Sequence, residues 1–269
     1  ATVAHAINPR VVMCSISAFG QSGPLSHLPG YDYIAAAYGG ILDNIGYPDG
    51  PPLITGMAIG DISTGANAFG SVMAALLDRS RTNEGQHLDI SLLDTYFHMH
   101  DVNVALTSAS GGAAMPTRFG HLNATVFPIG VFKGRTGYVF LMATPRVWPD
   151  FCKVIEREDL IEHPDYATVA LRAENRFKLA AEIQAWCDKQ PDDETIIGKF
   201  QDAHLPVAPI LNVAQAMAHP HLIERNVVRS IHDRGFGELQ IPNTPQRFTH
   251  YPGRLELHAP YIGEHNAQV

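Results

Sequence analysis

The run Arg10-Val11-Val12-Met13-Cys14-Ser15-Ile16 follows Asn8-Pro9 and ends at a Gly/Ser/Pro cluster from Gly20 to Pro24. A short apolar, β-branched run between turn signals predicts a buried strand feeding a loop. Small residues from Tyr33 to Gly40 give way to the turn-rich stretch Pro48-Asp49-Gly50-Pro51-Pro52. From Ile62 to Asp78 the apolar positions Ala66, Phe69, Val72, Met73, Leu76 and Leu77 recur at three- and four-residue spacings, which predicts a long helix. Gly65, Ala68, Gly70 and Ala75 between them would let that helix pack closely on a sheet or another helix. His87 to Ser91 alternates like a half-exposed strand, and a helix is expected from about Leu92 to Ser108. Strand alternating with helix predicts an α/β layer architecture.

After Gly111-Gly112 the character changes. Tyr138 to Ala143 reads as a strand, Trp148 to Ile155 as a helix and Leu171 to Lys189 as an amphipathic helix. A helix from Thr195 to Ala203, an extended segment from Pro206 to Ile210 and a helical patch near Val213 to Ala218 follow. Val227 to His232 and Glu238 to Ile241 form an expected hairpin around Gly235 and Gly237. The pattern divides into a large α/β part (residues 1–112), a smaller α+β domain with its linkers (113–225) and a final segment (226–269). The chain opens on what reads as the end of a helix, so residues are expected to precede it.

The 269 residues, 45% apolar, are enough for a real core. With 19 basic against 27 acidic residues the net charge is −8, which removes any broad electrostatic footprint for nucleic acid or an anionic membrane. Cys14, Cys152 and Cys187 are odd in number and widely spaced, as expected of free thiols in a reducing, cytoplasmic compartment. The longest apolar stretches, such as Val72 to Leu77, fall far short of a membrane span.

Phosphate-loop, dinucleotide-fold, nucleophile-elbow and zinc-protease signatures are absent from the sequence. His98/His100 stand two apart on an expected helix and so point in different directions, while His219/His221 flank Pro220 in a turn with no third ligand evident. No metal site is expected. The strongest local constellation is Met57-Ala58-Ile59-Gly60-Asp61-Ile62-Ser63-Thr64-Gly65, a lone acid where an apolar stretch meets a small-residue helix. One reading makes Asp61 an ordinary N-cap. The other makes it an accessible carboxylate nucleophile among small residues.

At these residues the chain resembles the family III CoA-transferases, which are related to α-methylacyl-CoA racemases. The resemblance runs in one order through Asn8-Pro9-Arg10, Ser17 to Pro24, Gly30-Tyr31-Asp32, Gly60-Asp61 to Gly65 and Arg81 to Gln86. It continues through Leu93-Asp94, Pro128 to Phe132, His163-Pro164 and Arg172 to Arg176, and ends at Gly263-Glu264-His265. It implies an open-sheet large domain, a small α+β domain and two subunits interlocked as a homodimer. It also implies that an N-terminal strand–helix region of the family fold lies outside this sequence.

The implied activity is transfer of coenzyme A from an acyl-CoA to a carboxylic acid, with Asp61 attacking the thioester to form an aspartyl anhydride. CoA is then a substrate, and no tightly bound cofactor or metal is required. Tyr31 matches a position that contacts CoA, Met57 and Ala58 line the approach to Asp61, and backbone N–H groups around Gly60 or a lid would hold the developing oxyanion. Lid candidates are Gly120 to Thr125 and Ser110-Gly111-Gly112. The racemase branch uses a histidine where this chain has Tyr31, and a phenol is a poor base at neutral pH. Asp32 beside it is an alternative acid or a turn or cap residue. A non-catalytic acyl-CoA-binding protein is the third possibility. Arg118 and Arg146 could meet a dicarboxylate acceptor or stand solvated at the surface.

Overall fold

The computed structural model describes residues 1–250 and 259–268. A short helix α1 (Thr2–Ile7) precedes strand β1 (Met13–Ser17). Helices α2 (Asp32–Tyr38) and α3 (Ile59–Thr82) then lead to β2 (His87–Ser91), which pairs with β1 in parallel from Met13↔His87 to Ser17↔Ser91. Parallel pairing needs a long crossover, and α2, α3 and their loops supply it. The turn into β2 leaves no room for a side chain at Gly85, where a Cβ would overlap the backbone carbonyl of Val11.

Helix α4 (Leu92–His98) follows β2 directly, capped by the Ser91 hydroxyl, which accepts the Asp94 N–H at 2.9 Å. The expected single helix from Leu92 to Ser108 is broken: α4 ends at His98 and α5 (Val102–Ala109) begins after Asp101, which sits at φ +34°. Beside the break, a ring nitrogen of His100 lies 2.6 Å from the Gly39 carbonyl oxygen, a tertiary contact that helical periodicity does not report.

Helix α3 turns the opposite face inward from the one its large side chains suggest. Gly60, Thr64, Ala68 and Ala75 are buried, whereas Ile62, Phe69, Met73 and Leu77 are exposed. Without bulky side chains on the inner stripe the helix packs close to β1, β2 and α4. The buried cluster in this part comprises Ala18, Phe19, Ala35, Ala36, Leu92 and Tyr96.

The second core is larger. Strands β3 (Ile129–Lys133) and β4 (Tyr138–Met142) form an antiparallel hairpin, and helices α6 (Trp148–Val154), α7 (Val169–Glu174), α8 (Arg176–Cys187) and α9 (Asp193–Asp202) follow. Strand β5 (Val207–Pro209) joins the far side of β4, giving the order β3-β4-β5. Helix α8 buries Leu179, Ile183, Trp186 and Cys187, one apolar stripe, against Phe151, Phe200 and Leu141. The expected helix from Leu171 to Lys189 is interrupted at Asn175, whose side-chain amide donates to the carbonyls of Asp165 and Leu171.

Helices α10 (Val213–Met217) and α11 (Pro220–Glu224) precede a hairpin of β6 (Val228–Asp233) and β7 (Gly237–Pro242). No residue of this hairpin enters either buried cluster. Within the final segment 226–269, positions 251–258 and 269 lie outside the described residues. The architecture is mixed α/β and, among the described residues, contains no closed barrel.

Candidate active site

Asp61 is the third residue of α3, so the N-cap reading does not hold. The cap position belongs to Ala58, whose side chain accepts nothing. The first-turn donors nevertheless all have acceptors. Ile59 N–H donates to the Met57 carbonyl at 3.0 Å, Gly60 N–H to the Tyr96 hydroxyl at 3.0 Å, and Asp61 N–H to Asp32 Oδ2 at 2.8 Å. These are the N–H groups a helix start leaves unpaired, and here two neighbouring helices supply acceptors for two of them.

Asp32 opens α2 but sends its carboxylate across to α3 instead of capping its own helix. Its other oxygen, Oδ1, accepts the Tyr96 O–H at 2.5 Å. Both side chains are enclosed, Asp32 6% and Tyr96 2% exposed. Burial, then the hydrogen bond to Asp32, pushes the Tyr96 phenol up to about 12, so it stays protonated as the donor. Tyr96 presses on the first turn so closely that a Cβ at position 60 would overlap its ring. Glycine is required there by space.

The Asp61 side chain is exposed and has no hydrogen-bond or ion-pair partner among the described residues. Of the other residues singled out in sequence, Tyr31 is the N-cap of α2 and 80% exposed, and Met57 is 64% exposed. Because Asp32 bonds the Asp61 amide, its neighbour Tyr31 is brought to the same corner, with Met57 and Ala58 preceding α3. Among the N–H groups around Gly60 or in a lid that were expected to hold an oxyanion, that of Gly60 itself is committed to Tyr96. Sequence reading missed Tyr96, because a tyrosine on an amphipathic helix carries no signal of what its hydroxyl meets.

Arg118 is engaged as well, ion-paired to the Asp43 carboxylate and donating to the Asp43 carbonyl at 3.2 Å. Arg146 is exposed, with no such partner among the described residues. The segment from Gly120 to Thr125 is held at several points. Gly120 N–H donates to the Gly46 carbonyl at 2.8 Å, Leu122 bridges Gly130, and Asn123 Oδ1 accepts the N–H groups of Thr125 and Val126. Gly111 and Gly112 close α5 with positive φ and have open space around them. His219 caps α11, its ring accepting the His221 N–H.

A parallel strand pair, a helix whose small-residue face lies on it and a free carboxylate on that helix's first turn define an α/β protein with a candidate nucleophile. The chain belongs to CoA-transferase family III, whose match covers residues 2–266. It is 32% identical to a succinyl-CoA:mesaconate CoA-transferase of Haloarcula hispanica over 97% of this chain and 66% of that protein. It is 28% identical to a succinyl-CoA:glutarate CoA-transferase of Mus musculus over 98% of this chain and 60% of that protein. The chain thus spans 60–66% of the length of these relatives. A solved CaiB/BaiF family protein from Brucella suis superposes on all of this chain and 69% of its own, at 29% identity and a TM-score of 0.82.

Proposed function

We propose that the full-length protein transfers coenzyme A from an acyl-CoA thioester to a free carboxylic acid, with Asp61 as nucleophile. The observation that carries this reading is the Asp61 carboxylate, exposed and without a hydrogen-bond or ion-pair partner on the first turn of α3. A carboxylate that caps a helix or closes an ion pair must first break that contact to react. Asp61 has none to break among the described residues.

The chemistry balances without an added redox or metal step. An Asp61 oxygen attacks the thioester carbonyl carbon, the C–S bond breaks, and CoA thiolate leaves a mixed anhydride on the side chain. The thiolate then attacks the Asp61 carbonyl carbon, expelling the donor acid and leaving an aspartyl-CoA thioester. The acceptor carboxylate repeats the sequence in reverse and departs as the new acyl-CoA, restoring Asp61. CoA is therefore substrate, not resident cofactor. Tyr31 and Met57 offer exposed apolar surface for its approach, Ala58 adjoins the nucleophile, and Gly60 lets the Tyr96 ring pack against the turn that carries Asp61.

The same proposal includes an interlocked homodimer with large-domain segments 1–112 and 226–269 and a small domain between. The uncovered row Ile62, Phe69, Met73 and Leu77 on α3 supports further protein over that face, since exposed apolar patches mark contact surfaces. A cytoplasmic location is proposed from the free cysteines. No helix among the described residues is long and apolar enough to cross a membrane.

The test is incubation of the full-length protein with a panel of acyl-CoAs, digestion, and mass measurement of the peptide containing Asp61. Dicarboxylic donors come first, as in the names of the two relatives above. A CoA or acyl adduct on that peptide is expected, and Asp61→Asn should bind acyl-CoA without turnover. Binding with no adduct, or turnover by Asp61→Asn, would remove Asp61 as nucleophile; α-deuteration in heavy water would point to a racemase instead.

A further inference from the structure

We infer that Asp32 and Tyr96 are positioning residues for the proposed reaction, and that they act by occupying the backbone donors that Asp61 would otherwise satisfy itself. This rests on the reading of Asp61 as nucleophile. An aspartate in the first turn of a helix has unpaired N–H groups within reach, and its carboxylate gains by turning back onto them. In α3 the two nearest of those donors are already taken. Gly60 N–H is held by the Tyr96 hydroxyl and Asp61 N–H by Asp32 Oδ2, while Asp32 Oδ1 accepts the Tyr96 O–H.

The three bonds form one closed clasp linking α2, α3 and α4, and both clasp side chains are more than nine-tenths buried. Its geometry is over-determined. Gly60 is in contact with the Tyr96 ring, so the turn cannot slide toward α4, and Asp32 holds the adjoining N–H. The consequence is a division of labour between two carboxylates 29 residues apart in sequence. Asp32 is buried and does the capping, which leaves Asp61 at the surface with its oxygens free for a thioester carbon. Asp32 and Tyr96 touch neither substrate nor reacting atoms; they act through the backbone of residues 60 and 61.

The experiment compares wild type, Asp61→Asn, Asp32→Ala, Asp32→Asn and Tyr96→Phe in the full-length protein. It measures kcat and KM with succinyl-CoA and a dicarboxylic acceptor, the single-turnover rate of adduct formation on the Asp61 peptide, and the unfolding midpoint. Misplacing a reacting group by about 1 Å can cost about 100-fold, so Asp32→Ala is expected to lose roughly 100-fold in kcat and in adduct rate. Tyr96→Phe should lose roughly 10-fold, with KM within about twofold in both. Asp32→Asn keeps an oxygen for the Asp61 N–H and should recover most of kcat.

A purely structural role would lower the unfolding midpoint and leave the adduct rate of the folded protein unchanged. If Asp32→Ala fails to fold, Tyr96→Phe decides, since it removes one oxygen and keeps the ring against Gly60. Adduct formation at the wild-type rate in folded Tyr96→Phe overturns the inference. The reading of Asp61 is judged separately, on wild type and Asp61→Asn: an adduct in the first and none in the second upholds it whatever the clasp variants do.

Discussion

Asp32 Oδ2 accepts the backbone N–H of Asp61 at 2.8 Å, so one buried carboxylate fixes the main chain from which a second, exposed carboxylate projects. That relationship crosses two helices. Its stability rests on a hydrogen bond to an enclosed acceptor, where losing a partner leaves a buried polar group unsatisfied at about 1–3 kcal/mol.

Gly60→Ala should be destabilising and inactivating together. The added methyl would overlap the Tyr96 ring, and overpacking a site whose neighbours are fixed costs typically about 1–3 kcal/mol. Urea unfolding and transfer assays should show both losses. Gly65→Ala, with open space around its Cβ, should show neither.

The Tyr96 phenol supplies a signature at alkaline pH. Its value rises from 10.0 to about 12 in the folded protein, so its contribution to stability is complete below pH 10 and is lost as pH rises through 12. Tyr96→Phe should therefore weaken the fall in stability over that window, followed by denaturant midpoints at successive pH values. Cys152 and Cys187, raised from 9.0 to about 12 by burial, will leave a residual slope.

Thiol reactivity should separate the three cysteines. Cys14 is partly accessible, whereas Cys152 and Cys187 are buried and held protonated near neutral pH. Alkylation of the native protein followed by peptide mapping should modify Cys14, with Cys152 and Cys187 reacting only under denaturant. Early reaction of either buried thiol would contradict the packing of the second core.

Arg172 should be irreplaceable by lysine. Its guanidinium donates from Nε to the Phe127 carbonyl at 3.2 Å and from one terminal nitrogen to the Tyr166 carbonyl at 2.8 Å, and lies 4.7 Å from the Trp148 ring centre. An ammonium cannot span both acceptors in that planar arrangement. Arg172→Lys is expected to cost about 1–3 kcal/mol in chemical denaturation.

The sequence by itself determined the elements whose signals are local. The run ending near Ile16, the alternation from His87 to Ser91, the helix ending near Lys189, and the hairpin around Gly235 reappear within a few residues of where periodicity and turn chemistry place them. It also made Asp61 conspicuous, as a lone acid among small residues. Strand β3 was not legible as a strand, because Gly130 interrupts its apolar run, and the close approach of Leu122 that calls for a glycine there is a tertiary contact. The breaks near Asp101 and at Asn175 depend on contacts with Gly39 and Asp165. The tertiary structure alone decided which face of α3 turns inward and which carboxylate caps it. Hydrophobic spacing records that a face exists but not what neighbouring surface is present to receive it, and a hydrogen bond between residues 32 and 61 exists only once α2 and α3 have packed.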